Sequence, residues 1–124
     1  MTLIHNTIMR TEALTASTEL YNAAMKLKDS GQPQAAVEKL NELLAGNDTY
    51  ALAYSALAVL YGRLNQHDKA VTNAVRVSEL EPEDSFSWTA LSVIYQRAFA
   101  GTNEHRYIQL AEDAMAKSKS MTGH

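Results

Sequence analysis

The sequence predicts an all-α fold of three antiparallel helix pairs, and three observations carry that prediction. Residues of largely similar size and polarity recur at a spacing of 34: Leu20, Tyr54 and Trp88, then Ala23, Leu57 and Leu91, then Ala24, Ala58 and Ser92, then Leu27, Tyr61 and Tyr95. Within each segment these residues fall at i, i+3, i+4 and i+7, which puts them on one face of a helix. Turn-forming residues keep the same interval, with Asn65 placed where Gly31 stood one period earlier. A fixed period of this length marks a helical array in which one pair cannot bury its own apolar face and needs a neighbour. Function then resides in surfaces.

The elements follow in order. A first helix is expected from about Thr18 to Asp29, with Leu20, Ala23, Ala24 and Leu27 inward. Ser30-Gly31-Gln32-Pro33 stops it, because Gly31 can take the left-handed conformation of a C-terminal cap and Pro33 suits the first turn of the next helix. That second helix should run to about Leu44 on Ala36, Val37, Leu40, Leu43 and Leu44. Asn47 or Asp48 can accept hydrogen bonds from the free N–H groups that open the third helix, about Thr49 to Leu64. Its inner residues are Tyr54, Leu57, Ala58 and Tyr61, and Asn65 caps it as the residue next best to glycine at positive φ. The fourth, about Asp68 to Leu80, carries Ala70, Val71, Ala74 and Val77; Glu81-Pro82 ends it because the residue before a proline is pushed out of helical geometry. Asp84 or Ser85 then caps a fifth helix, about Phe86 to Ala98, with Trp88, Leu91, Ser92 and Tyr95 inward. Phe99-Ala100-Gly101-Thr102-Asn103 reads as a longer turn. The last helix, about Glu104 to Ser120, is therefore expected a few residues out of register, facing the array with Tyr107 or Ile108, Ala111, and Ala114 or Met115.

Composition limits the function classes. The chain has 124 residues, 46% hydrophobic and 20% charged, enough for one domain that buries a core without covalent staples. Its net charge of −3 supplies no basic field for phosphate backbones, so nucleic acid is not an expected partner. With no cysteine there is no disulfide frame, thiol nucleophile or cysteine-ligated metal. The first residues have neither a basic leader nor a sustained apolar run, no stretch approaches the roughly 18 apolar residues of a membrane span, and no helix pairs a large apolar face with a basic one. The expectation is a cytoplasmic chain without a membrane role.

These residues resemble the tetratricopeptide repeat. Residues 51–84 carry the resemblance most closely through Tyr54, Leu57, Ala58, Tyr61, Asn65, Ala70 and Pro82, departing at Ala74 and Val77. Residues 17–50 keep Leu20, Ala24, Leu27, Gly31, Ala36 and Leu40 without the terminal proline, and the third unit matches through Trp88, Leu91, Ser92 and Tyr95 and poorly afterwards. The resemblance covers about 17–120. It implies a right-handed superhelix of helix pairs over 15–121, with an N-terminal arm at 1–14, flexible or lying in a groove, and a tail at 122–124. Small residues at Ala24, Ala58, Ser92, Ala36 and Ala70 agree with it independently, since they let the helices of each pair approach closely.

The family lines a concave groove with the first helix of each pair, and that groove usually holds a peptide or helix of another protein. Carried onto this chain, the resemblance places Tyr21, Asn22, Met25, Leu52, Ser55, Val59, Arg63, Phe86, Thr89, Val93, Gln96 and Arg97 in it. Met25, Val59 and Val93 would form one apolar row and Leu52 with Phe86 a second, with Arg63 and Arg97 at an edge. The implied partner is a protein segment with an apolar stripe and acidic groups, because a guanidinium can grip a carboxylate with two hydrogen bonds. The family's clamp for a chaperone's acidic tail is missing, since its lysines, asparagines and arginine are replaced by Tyr21, Met25, Ala56, Phe86 and Ala90.

Duller readings stand beside these. Tyr54, Tyr61, Trp88 and Tyr95 are expected to be core aromatics. Arg63 and Arg97 could be a solvated rim that recurs because the repeat recurs. Leu3, Ile4, Ile8, Met9 and Leu14 give the arm enough apolar surface to fill its own groove or a neighbour's, so a self-associating homo-oligomer is the alternative to capture of another protein. Catalysis, cofactors and metals are not expected: His5, His67, His105 and His124 are scattered, no phosphate-cradling glycine motif occurs, and Glu79, Glu81, Glu83 and Asp84 solvate a turn rather than form a calcium loop.

Overall fold

A computed structural model describes the backbone of residues 2–122 and the side chains of residues 9–122. Six helices follow one another: α1 Thr2–Asp29, α2 Pro33–Gly46, α3 Ala51–Arg63, α4 His67–Leu80, α5 Ser85–Thr102 and α6 Arg106–Thr122. No strand occurs among the described residues. The chain divides into two units, Met1–Ala53 and Tyr54–His124.

In the first unit α1 packs on α2. The contact is close because Ala24 and Ala36 are fully buried, with Leu40 and Leu43 filling the space beside them. Burying side chains of that size is worth roughly 2 kcal/mol each. The turn between the helices is a Schellman motif: Gly31 has φ +78°, its N–H donates to Lys28 O at 3.1 Å, and the Gln32 N–H reaches back to Leu27 O at 2.8 Å. At the far end Asn47 closes α2 through its N–H to Leu43 O at 2.9 Å. Its side-chain amide donates to the buried Ser17 hydroxyl at 3.1 Å, which ties the end of α2 to α1. Tyr21 and Tyr50 bring their rings within 6.0 Å.

The first helix begins at Thr2, not near Thr18. Residues 2–29 contain neither glycine nor proline, so nothing in the covalent chain stops the helix. The Thr15 and Thr18 hydroxyls fold back onto the carbonyls of Thr11 and Leu14, at 2.9 and 3.0 Å, which satisfies β-branched polar residues inside a helix. Met9 and Leu14 are more than half exposed. Leu3, Ile4 and Ile8, named above for the arm, have side chains outside the described residues, as do 123 and 124 of the tail.

In the second unit α5 packs against both α4 and α6. The α3–α4 turn repeats the Schellman geometry of the first: Asn65 has φ 60°, its N–H donates to Gly62 O at 3.0 Å, and Gln66 N–H donates to Tyr61 O at 2.8 Å. Asp84 caps α5, its carboxylate accepting from Phe86 N–H at 3.0 Å. The core includes Leu57, Leu60, Tyr61, Ala74, Leu91, Ile94, Tyr95, Tyr107 and Ala111. Hydroxyls set the pairing of α5 with α6. Buried Ser92 donates to Ala111 O at 2.7 Å, Ser118 donates to Ser85 O at 3.0 Å, and Thr89 and Ser118 share a hydrogen bond of 2.6 Å.

The last pair departs from the sequence-based expectation. Residues 99–102 continue α5 instead of forming a turn, and the left-handed residue is Asn103, with φ 61°. Of the paired alternatives for α6, Tyr107 and Ala114 are the buried ones, while Ile108 is 40% exposed. Tyr107 stacks on Tyr95 at 5.9 Å and its hydroxyl donates to Asp68 at 3.4 Å. Burial raises the pKa of both phenols above the ordinary value, so they stay protonated and available as donors.

Two of the four expected core aromatics are only half-buried. Tyr61 and Tyr95 are buried, whereas Tyr54 lies under the Arg76 guanidinium and Trp88 under the Lys117 ammonium. The Trp88 indole N–H donates to Pro82 O at 3.0 Å. An indole needs a partner for that donor, and the outer edge of the core supplies one.

Candidate functional site

The second unit carries a trough built by α3, α4 and α5. On α3, Ser55, Val59, Gly62 and Arg63 fall at i, i+4, i+7 and i+8, hence on one stripe. On α5, Ala90, Val93 and Arg97 do the same at i, i+3 and i+7. Ser55, Val59, Ala90, Val93 and Arg97 line a hollow of about 260 Å³ whose deeper wall is Ala74, Val77 and Ile94. A second hollow of about 380 Å³ is lined by Val59, Gly62, Arg63, His67, Ala70 and Arg97. Ala58, Val59, Ile94 and Arg97 belong to both, so the two form one continuous depression. Val59 and Val93 are half-buried, so they form part of the trough's floor and stay partly open to solvent.

Charge is distributed one-sidedly. No aspartate or glutamate lines either hollow. Arg63 and Arg97 are exposed, and among the described residues neither guanidinium enters an ion pair or hydrogen bond. The trough is therefore apolar along its floor and cationic at one end.

Thr89 hydrogen-bonds Ser118 on α6, and the Gln96 amide donates to Ser92 at 3.2 Å, so both face the α5–α6 side. Gln96 lines a separate hollow of about 540 Å³ with Phe99, Ile108, Met115, Glu112 and Lys119. That hollow is larger, but it has one charge of each sign. Phe86 is 81% exposed and lines neither part of the trough. In the first unit Leu52 is 56% exposed, Tyr21 and Met25 are half-buried, and Asn22 is exposed.

His67 also lines the trough. In sequence it reads as a turn histidine, yet it is the first residue of α4 and lines the hollow with both arginines. Gly101 makes its position tenable, because a methyl group there would overlap the imidazole ring. The period gives little warning of this: Pro33, His67 and Gly101 stand 34 residues apart, but Pro33 and His67 open helices whereas Gly101 lies inside α5.

Among the described residues no three His, Cys, Asp or Glu side chains gather as metal ligands, and no helix is long and apolar enough to cross a membrane. In comparisons with known proteins, no family model matches the chain and no curated protein does.

Proposed function

We propose that this chain is a non-catalytic helical-repeat module of tetratricopeptide type, acting in the cytoplasm as a scaffold that captures a segment of another protein. The observation that carries the reading is the trough, an apolar floor of Val59 and Val93 that ends at two unpaired arginines. A guest with an apolar stripe and an acidic end fits it, as a helix laid in a groove or as an extended strand of peptide. The apolar contacts would supply affinity and the arginines orientation. The period of 34 residues, the two matching Schellman turns and the small residues at helix contacts support the repeat type.

A displayed library of random peptides, panned on the purified chain, tests this reading. Selected peptides are expected to combine apolar and acidic residues and to lose at least about tenfold in affinity when Val59→Asp and Val93→Asp put charges into the floor. Selection of peptides that bind both forms equally would remove the trough from the function.

A further inference from the structure

The two arginines do not stand at separate points along an edge. Arg63 comes from the last turn of α3 and Arg97 from α5, yet both line the same hollow of about 380 Å³, with His67 as a third nitrogen-bearing wall. Gly101 follows Arg97 by one helical turn and leaves room for the His67 ring to lie against α5 beside it. Two guanidiniums with no acidic partner, in a chain whose net charge is −3, are an unneutralised pair of positive charges at one place.

Donor number and charge distinguish the anions that could answer them. Each guanidinium can present two parallel N–H groups, so the pair offers four donors. A carboxylate brings one negative charge on two oxygens. A phosphoryl group brings about −1.5 to −2 at neutral pH on three oxygens arranged around one phosphorus, which matches two guanidiniums in charge and can be approached from two helices at once.

We infer that the Arg63–Arg97–His67 hollow holds the phosphoryl group of a phosphorylated serine or threonine on the guest segment. The inference rests on the reading of the trough as a guest site, since the residues flanking the phosphate would lie along Val59 and Val93. Phosphorylation of the guest then strengthens capture, because without it the two positive charges face a neutral hydroxyl.

Titration of the isotopically labelled full chain followed by nuclear magnetic resonance tests it, with N-acetyl-O-phosphoserine amide, N-acetylglutamic acid amide and inorganic phosphate as probes. The Nε–H signals of Arg63 and Arg97 are expected to move together and saturably with the phosphoserine probe. That probe should bind roughly tenfold more tightly than the glutamate probe. Arg63→Gln and Arg97→Gln should each abolish the response, and both side chains are exposed, so an unchanged spectrum elsewhere certifies the fold. Equal or tighter binding of the glutamate probe overturns the phosphoryl assignment, as does movement of only one arginine or a response that survives both substitutions. Inorganic phosphate binding as tightly as phosphoserine would identify a free-anion site and overturn the peptide source. If displayed peptides need Val59 and Val93 while phosphoserine leaves the arginines unmoved, this inference falls and the trough reading stands. If phosphoserine binds and no peptide needs the valines, the trough reading falls.

Discussion

The α3–α4 and α5–α6 hairpins end their first helices with the same residue type in the same conformation, and they differ in where that residue sits. Asn65 and Asn103 have φ 60° and 61°. They lie 38 residues apart, four more than the period of 34, and four residues are about one helical turn. The added turn follows the buried face of α5, which ends at Ala98, and Ala100, Gly101 and Thr102 within it are exposed. The bonding after the asparagine also differs. Asn65 belongs to a Schellman motif that leads directly through Gln66 into α4, whereas Asn103 makes the simpler motif, N–H to Phe99 O at 2.7 Å, and leaves Glu104 and His105 before α6. A helical array can thus absorb an inserted turn without inverting its faces. What it loses is the phase of the helix that follows.

The sharpest way to break this comparison is to cut the core on each side. Leu60→Ala, in the phased hairpin, and Tyr107→Ala, in the displaced one, remove side chains that are 0% and 2% exposed. Each is expected to cost roughly 3–5 kcal/mol in denaturant unfolding, from lost burial and the cavity left behind. A loss under about 1 kcal/mol for Tyr107→Ala alone would make the displaced hairpin an appendage instead of part of the core.

The caps give a smaller and more equal effect. Asn65→Ala and Asn103→Ala should each destabilise by about 1 kcal/mol, and the glycine substitutions should be neutral or better, because the penalty belongs to a Cβ at positive φ. Unequal costs in the same denaturation series would show that the two asparagines are held by different forces despite equal φ.

The smallest expected effect concerns the inserted turn itself. Gly101→Ala should gain helix propensity worth about 1 kcal/mol, offset by collision with the His67 ring. In a His67→Ala background the collision is gone and the gain should appear. A double-mutant cycle with no coupling between positions 67 and 101 would refute the contact.

Much of the fold was legible because local chemistry and periodicity pointed the same way. Gly31, Pro33, Asn65 and Asp84 announce their turns and caps through backbone needs that hold in any context. The misses came where a second surface decides. Leu60 and Ile94 stand one period apart and are both buried, but they lie off the stripe of Leu57, Tyr61, Leu91 and Tyr95. A helix covered on two sides has no single apolar face, and a search for one face passes over the other. The same blindness hid the extension of α5, since Gly101 and Asn103 both read as turn residues and only the contact with His67 shows that the glycine is needed inside a helix. Of the candidate site, Ser55, Val59, Arg63, Val93 and Arg97 line the two adjoining hollows. Thr89 and Gln96 share that helix but face α6, a neighbour whose displaced register conceals it from the period.

The hydroxyls between α5 and α6 explain how the displaced helix finds its seat. Sliding α6 by one turn, about 5.4 Å, would still lay alanine and methionine against alanine and leucine, so apolar attraction alone discriminates weakly among such offsets. It would also strip Ser92 of the Ala111 carbonyl and Ser118 of both Ser85 and Thr89, leaving buried donors with nothing to receive them. Freed from the repeat's metre, the final helix is located by three alcohol groups acting as detents.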